Sequence, residues 1–105
     1  MSKIPIPYHR QAVILKALAH PTRLYVASLL SKGPMCVCGI TDRIGDDIST
    51  ISKHLSVMKE AGILSCEKKG LQVIYTLKTP CVTGVFSCAD RVISSGARRR
   101  KAMRT

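Results

Sequence analysis

Tryptophan is absent from this 105-residue chain, phenylalanine occurs once and tyrosine three times. Its core is therefore mostly aliphatic. Acidic residues are scarce as well: six Asp and Glu stand against 17 Lys and Arg, a formal net charge of +11. No apolar run approaches the roughly 18 residues that read as a membrane span. Met1-Ser2-Lys3-Ile4-Pro5 holds no apolar stretch ending in a small-residue cleavage site. Secretion is not expected, and the predicted location is cytoplasmic. H-E-x-x-H, G-x-S-x-G and a Gly-rich phosphate loop are all missing, and no Cys stands in a catalytic motif with a placed His. No C-x-x-C pair near a βαβ unit supports a thiol-disulfide catalyst. The chain is not expected to be an enzyme.

Hydrophobic residues make up 46% of the chain, enough for an ordered core. The length suits one domain, and a domain this short buries more surface as a dimer. The charge points to a polyanionic partner without choosing among membrane, RNA and DNA. Arg98, Arg99, Arg100, Lys101 and Arg104 supply five of the positive charges from the last eight residues. That segment lacks apolar residues at helical spacing, so no amphipathic membrane helix is indicated. Five cysteines without a leader argue against a disulfide framework. Cys36 and Cys38 form a C-x-C pair, Cys66 stands alone, and Cys81 and Cys88 are seven apart.

Residues 1–7, with Pro5 and Pro7, read as an irregular arm, residues 8–94 as the folded domain and residues 95–105 as a basic flexible tail. Within the domain a first helix is expected from Tyr8 to Ala19, with Ala12, Leu15, Ala17 and Leu18 near helical spacing. His20-Pro21 ends it, and Pro21 suits the first turn of a second helix striped by Leu24, Ala27 and Leu30. A short helix over residues 36–44 follows the Lys32-Gly33-Pro34 loop. After Gly45, with Asp46 and Asp47 as candidate caps, a fourth helix runs about Ile48 to Ala61 and stops at Gly62. Its apolar stripe is Ile48, Ile51, Leu55 and Met58. Residues 63–67 and 72–77 read as two strands of a hairpin, with Lys68-Lys69-Gly70 at the tip. A last helix follows Pro80, carrying Val82, Val85, Phe86, Ala89, Val92 and Ile93.

Short helix, Gly-containing turn and second helix form the outline of a helix-turn-helix, with a basic hairpin directly behind it. Ser49, Thr50, Ser52, Lys53 and His54 put short hydrogen-bonding and basic groups at the start of the second of these helices. Such groups suit base edges in a major groove. Lys68 and Lys69 on the hairpin, with Arg43 and Lys59, are candidates for phosphates. The expected partner is duplex DNA.

Several motifs in one register then become familiar. Leu15-Lys16-Ala17-Leu18-Ala19-His20-Pro21-Thr22-Arg23-Leu24 resembles the "KALADPTRL" signature of the ArsR/SmtB family of winged-helix repressors. Ser49-Thr50-Ile51-Ser52-Lys53-His54-Leu55 resembles the family's "STVSRHL" recognition helix. Lys59-Glu60-Ala61-Gly62-Ile63-Leu64 resembles "REAGLV", and Lys69-Gly70 through Tyr75-Thr76-Leu77 resembles its wing. The resemblance covers residues 12 to 77. It implies a mainly α winged helix-turn-helix of order ααααββα that dimerises through its first and last helices. It also implies a homodimer on an inverted-repeat operator, with repression relieved by a metal, metalloid or thiol-directed signal.

Met35-Cys36-Val37-Cys38-Gly39 is similar to the "LCVCDL" that opens the same helix in the family's arsenite and cadmium/lead sensors. There both thiols are ligands. Soft thiolates suit thiophilic ions, and a helix N-terminus favours the thiolate. Two departures matter. Thr41 stands where one arsenite-responsive type carries its third thiol, and residues 1–35 hold no Cys such as the cadmium/lead type uses. A third thiolate would come from Cys81 or Cys88, while Cys66 is expected to pack under the wing. A zinc or nickel site of the last helix is not expected, since that helix offers only Asp90. The resulting expectation is a repressor that needs no cofactor to bind DNA and releases it on As(III) or Sb(III). A redox- or persulfide-sensing repressor of the same fold, and a Cd/Pb-type sensor, are the alternatives.

Overall fold

The computed structural model describes the backbone of residues 3–104 and the side chains of residues 3–96. Five helices and three strands follow in the order α1 (Ile6–Leu18), α2 (Pro21–Leu30), β1 (Met35–Cys36), α3 (Val37–Ile44), α4 (Ile48–Glu60), β2 (Leu64–Lys69), β3 (Gln72–Leu77) and α5 (Val82–Arg104).

Local chemistry explains most of the helix ends. His20 caps α2 by accepting the Thr22 N–H, and Pro21 takes the first helical position, where a missing N–H costs nothing. Asp47 caps α4: its carboxylate accepts the Thr50 N–H at 2.8 Å and the Ser49 hydroxyl at 2.6 Å. Gly62 follows the C-cap with φ 87°, and its N–H and that of Ile63 bond back to Lys59 and Met58. This is a Schellman closure, and it needs a residue at ease in the left-handed region.

The sheet is antiparallel with strand order β1-β3-β2. Lys69 pairs with Gln72, so the hairpin turn is Gly70-Leu71 alone. Gly70 has φ 62° and, among the described residues, no non-glycine residue has positive φ, as in a type II′ turn. This corrects the expected tip: Lys68 and Lys69 are strand residues, opposite Val73 and Gln72, because a two-residue turn suffices. Strand β1 is an addition. Its two residues carry no periodic signal, and only their pairing with Tyr75 and Ile74 makes them a strand.

The core lies where α2, α3 and α4 meet the sheet. Val26, Ala27, Ile40, Ile51, Leu55 and Met58 are fully buried in it, with Leu30, Ile63, Leu64 and Leu77 alongside. Ile48, expected in the α4 stripe, is exposed, because it sits in the first turn beyond the reach of α2 and β2. The first and last helices behave differently. On α1 only Ala17 and Leu18 are buried, while Val13 and Leu15 are open to solvent. On α5 Val82 is buried and Phe86 packs on the core, but Val92 and Ile93 are 71% and 66% exposed.

Both ends of the chain are more helical than expected. The arm over residues 1–7 ends early: helix α1 begins at Ile6, since prolines are tolerated at the N-cap and in the first turn. Met1 and Ser2 lie outside the described residues. In place of a flexible tail from residue 95, the backbone of α5 stays helical to Arg104. Ala, Arg, Lys and Met are all good helix formers, and no breaker follows Gly96. The side chains of Arg98, Arg99, Arg100, Lys101 and Arg104 lie outside the described ones.

Candidate functional site

Helix α4 carries the candidate DNA-reading residues on its N-terminal half. Ser49, Ser52 and Lys53 are exposed, while Thr50 and His54 are half-buried. Not all of these side chains are free in the same sense. The hydroxyls of Ser49 and Thr50 both donate to the Asp47 carboxylate, at 2.6 and 3.0 Å, so they offer lone pairs outward. The three donors hold the Asp47 carboxyl down to about 2, with the Ser49 hydroxyl first. Ser52 and Lys53 carry no such tie among the described hydrogen bonds.

His54 is tied to α2. Its Nδ1 accepts from Arg23 Nε at 3.1 Å, and its ring centroid lies 4.4 Å from that of His20. Burial holds the His54 pKa below its usual 6.5, helped by the charges of His20 and Arg23 and opposed by Asp46. Sequence reasoning missed this cluster, since 31 residues separate Arg23 from His54 and no spacing rule joins them.

The basic wing residues Lys68 and Lys69 are exposed on β2, and Arg43 and Lys59 are exposed on α3 and α4. Lys59 leans on the Cys66 thiol, and this contact raises its pKa. Cys66 itself is half-buried opposite Tyr75 in the hairpin, where burial raises the tyrosine pKa.

The C-x-C pair stands at the head of α3. Cys36 is the N-cap, with its sulfur accepting the Gly39 N–H at 3.2 Å, and Cys38 Sγ lies 2.6 Å from Cys36 Sγ. The Cys38 thiol and then the Gly39 N–H lower the pKa of Cys36. The same contact raises that of Cys38, because a second charge would form beside the first. Cys36 is thus the more readily deprotonated of the two. The pair borders a hollow of about 340 Å³ that also touches Ile48 and Ser52 of α4 and Leu71, Gln72 and Val73 of the wing. The cysteine pair, the start of α4 and the hairpin tip meet in one place. Nothing in the linear pattern announces the hollow; it follows from the pairing of Cys36 with Ile74.

Cys81 and Cys88 are exposed, at the start of α5 and one to two turns along it. Among the described residues no three His, Cys, Asp or Glu side chains gather in a metal-binding group. Neither cysteine therefore joins Cys36 and Cys38 within one chain. No helix of the described residues is long and apolar enough to cross a membrane.

Comparison with known proteins gives this geometry a context. The family model for bacterial regulatory proteins of the arsR family matches residues 20–65, from the α2 cap into β2. An uncharacterized HTH-type transcriptional regulator of Methanocaldococcus jannaschii is 37% identical over 86 residues, covering 81% of this chain and 97% of that protein. An arsenic resistance transcriptional regulator of Pseudomonas putida is 38% identical over 66 residues, 62% of this chain and 52% of its own. Among solved structures, Rv0081 of Mycobacterium tuberculosis superposes with a TM-score of 0.77 at 26% identity, covering 92% of this chain and 98% of that one. The chain belongs to the arsR family of helix-turn-helix transcriptional regulators, DNA-binding proteins and not enzymes.

Proposed function

We propose that the protein is a homodimeric repressor that releases its operator when As(III) or Sb(III) binds the thiolates of Cys36 and Cys38. The observation that carries this reading is the convergence of the two sulfurs at the head of α3, against the start of α4 and the wing tip. The likeness to an arsenic resistance regulator supports it. So do the unpartnered apolar faces of α1 and α5, which a second copy would cover.

In the free dimer, Ser49, Thr50, Ser52, Lys53 and His54 of each α4 enter a major groove of an inverted repeat, and Lys68 and Lys69 hold phosphates. Arsenous acid then reacts with the two thiols. Each As–S bond that forms releases one hydroxide from arsenic, which leaves as water with the thiol proton. Two waters are lost and no electrons move. The thiolate favoured at Cys36 is the first nucleophile. A third ligand comes from solvent or from Cys81 or Cys88 of the second subunit. Ligation fills the hollow beside Ser52, Leu71 and Gln72 and shifts α4 against the wing. Ion and operator prefer different arrangements, so each lowers the affinity for the other.

The test is a fluorescence-anisotropy titration of the operator complex. Stoichiometric arsenite should release wild type, whereas Cys36→Ser/Cys38→Ser should bind the operator as tightly and hold it through the titration. Release unchanged in the double variant overturns the reading. Release by cadmium alone, or by polysulfide with a Cys36–Cys38 product in the mass spectrum, replaces the arsenite signal with another.

A further inference from the structure

A small basic cluster joins α2 to the DNA-reading helix. Arg23 Nε donates to His54 Nδ1 at 3.1 Å, and the Thr22 backbone N–H donates to His20 Nδ1 at 3.1 Å. The two imidazole centroids are 4.4 Å apart, with the planes inclined at 46°. A guanidinium Nε and a backbone N–H can only donate. Both Nδ1 atoms are therefore acceptors, and each neutral ring carries its proton on Nε2.

We propose that His20 and Arg23 are positioning residues for α4: they hold His54 as the neutral Nε2–H ring, and acidification breaks this hold and weakens operator binding. The inference rests on the reading of α4 as the helix that meets DNA. A proton added to His54 Nδ1 turns the acceptor into a donor facing another donor, and Arg23 must withdraw. The His54 imidazolium and the Arg23 guanidinium then repel one another at close range.

The groups acting on His54 come from both sides. His20 and Arg23 of the α2 start disfavour its charged form, as does burial, and Asp46 of the α3–α4 turn favours it. Lys16 of α1 and Glu60 of α4 line a hollow of about 430 Å³ with Arg23. The net direction is downward from 6.5. The contribution of the bonded ring is thus complete above that value and is lost as pH falls through the depressed one. At neutral pH His54 offers DNA one N–H donor and no charge.

Two measurements test this separately from the repressor reading. Long-range ¹H–¹⁵N spectra of the free protein should show His54 protonated at Nε2 and bare at Nδ1, with a midpoint below 6.5 that rises in His20→Asn. Asn keeps the cap acceptor and removes the ring. Operator duplexes obtained by in vitro selection at pH 8 are then titrated at falling pH and constant salt. Wild-type affinity should fall by up to about tenfold per pH unit for each linked proton. His54→Gln, whose amide oxygen still accepts from Arg23, should flatten the profile. His20→Asn should move the midpoint of the affinity profile upward together with the His54 midpoint. A His54 protonated at Nδ1 in the neutral protein overturns the proposal, as does affinity that is flat or rises on acidification. So does a His54→Gln profile as steep as that of wild type. Should no duplex be bound at any pH, the DNA-reading role fails, and the spectra alone decide whether the hold exists.

Discussion

Asp47 shows how much one side chain organises. Its carboxylate ends the α3–α4 turn, starts α4 and binds the hydroxyls of two candidate base readers. Asp47→Ala should lower the melting temperature at pH 7 by several degrees and weaken operator binding, because Ser49 and Thr50 lose their common acceptor. The pH dependence follows from the carboxyl held near 2 against an ordinary 3.8. Its stabilisation is complete above the ordinary value and disappears as pH falls from there towards 2. Circular-dichroism melts should therefore show wild type and Asp47→Ala converging between pH 4 and pH 2. The cap was legible in the sequence, since an acidic residue before a polar-apolar helical run has few other uses. That it also engages the hydroxyls of Ser49 and Thr50 was not, because their rotamers answer to the fold.

Among the elements, α4 has both ends specified by local chemistry, an Asp cap and a glycine closure. Gly62→Ala places a Cβ at φ 87° and should cost about 1–2 kcal/mol, read as a lower urea midpoint with unchanged slope. No atom lies within 4 Å of the added Cβ, so the loss comes from backbone strain and not from a clash. Helices α2, α3 and α4 and the hairpin were readable from periodicity, proline and glycine. Strand β1 was not, nor was the true turn at Gly70-Leu71. Two residues have no period, and Lys68-Lys69 look like a turn until pairing with Val73 and Gln72 claims them. The extension of α5 to Arg104 was likewise hidden, because charge density argued for a solvated coil while propensity argued for helix.

The whole chain leaves apolar side chains of α1 and α5 unpacked: Tyr8, Val13 and Leu15 on one, Val85, Val92 and Ile93 on the other. A homodimer should therefore give a light-scattering mass of twice the 11.5 kDa chain. Leu15→Glu/Val92→Glu should give the single mass, with operator affinity reduced by at least about tenfold, since one half-site contributes far fewer phosphate contacts. The charge of +11 acts at the same level. Log affinity should fall linearly with log salt for wild type, and Lys68→Ala/Lys69→Ala should make that slope shallower by about two per subunit if both reach phosphates. A monomer of wild-type affinity, or an unchanged slope, would remove the dimer or the wing from the reading.

Composition and local pattern determined a good deal by themselves: an aliphatic core, a strongly basic chain, the helix-turn-helix with its basic hairpin, and a pair of thiols at the head of α3. These rest on spacings of a few residues, which bond geometry converts directly into faces and ends of helices. The five cysteines parted only on folding. Pairing of β1 with β3 brought Cys36 and Cys38 against Ser52 and the hairpin tip, and left Cys81 just before α5 and Cys88 on it. The same holds for the histidines. His20 and His54 are 34 positions apart in the chain, and packing of α2 on α4 sets their rings in contact beneath Arg23. Long-range packing decides such meetings because no dihedral preference within either segment encodes the other.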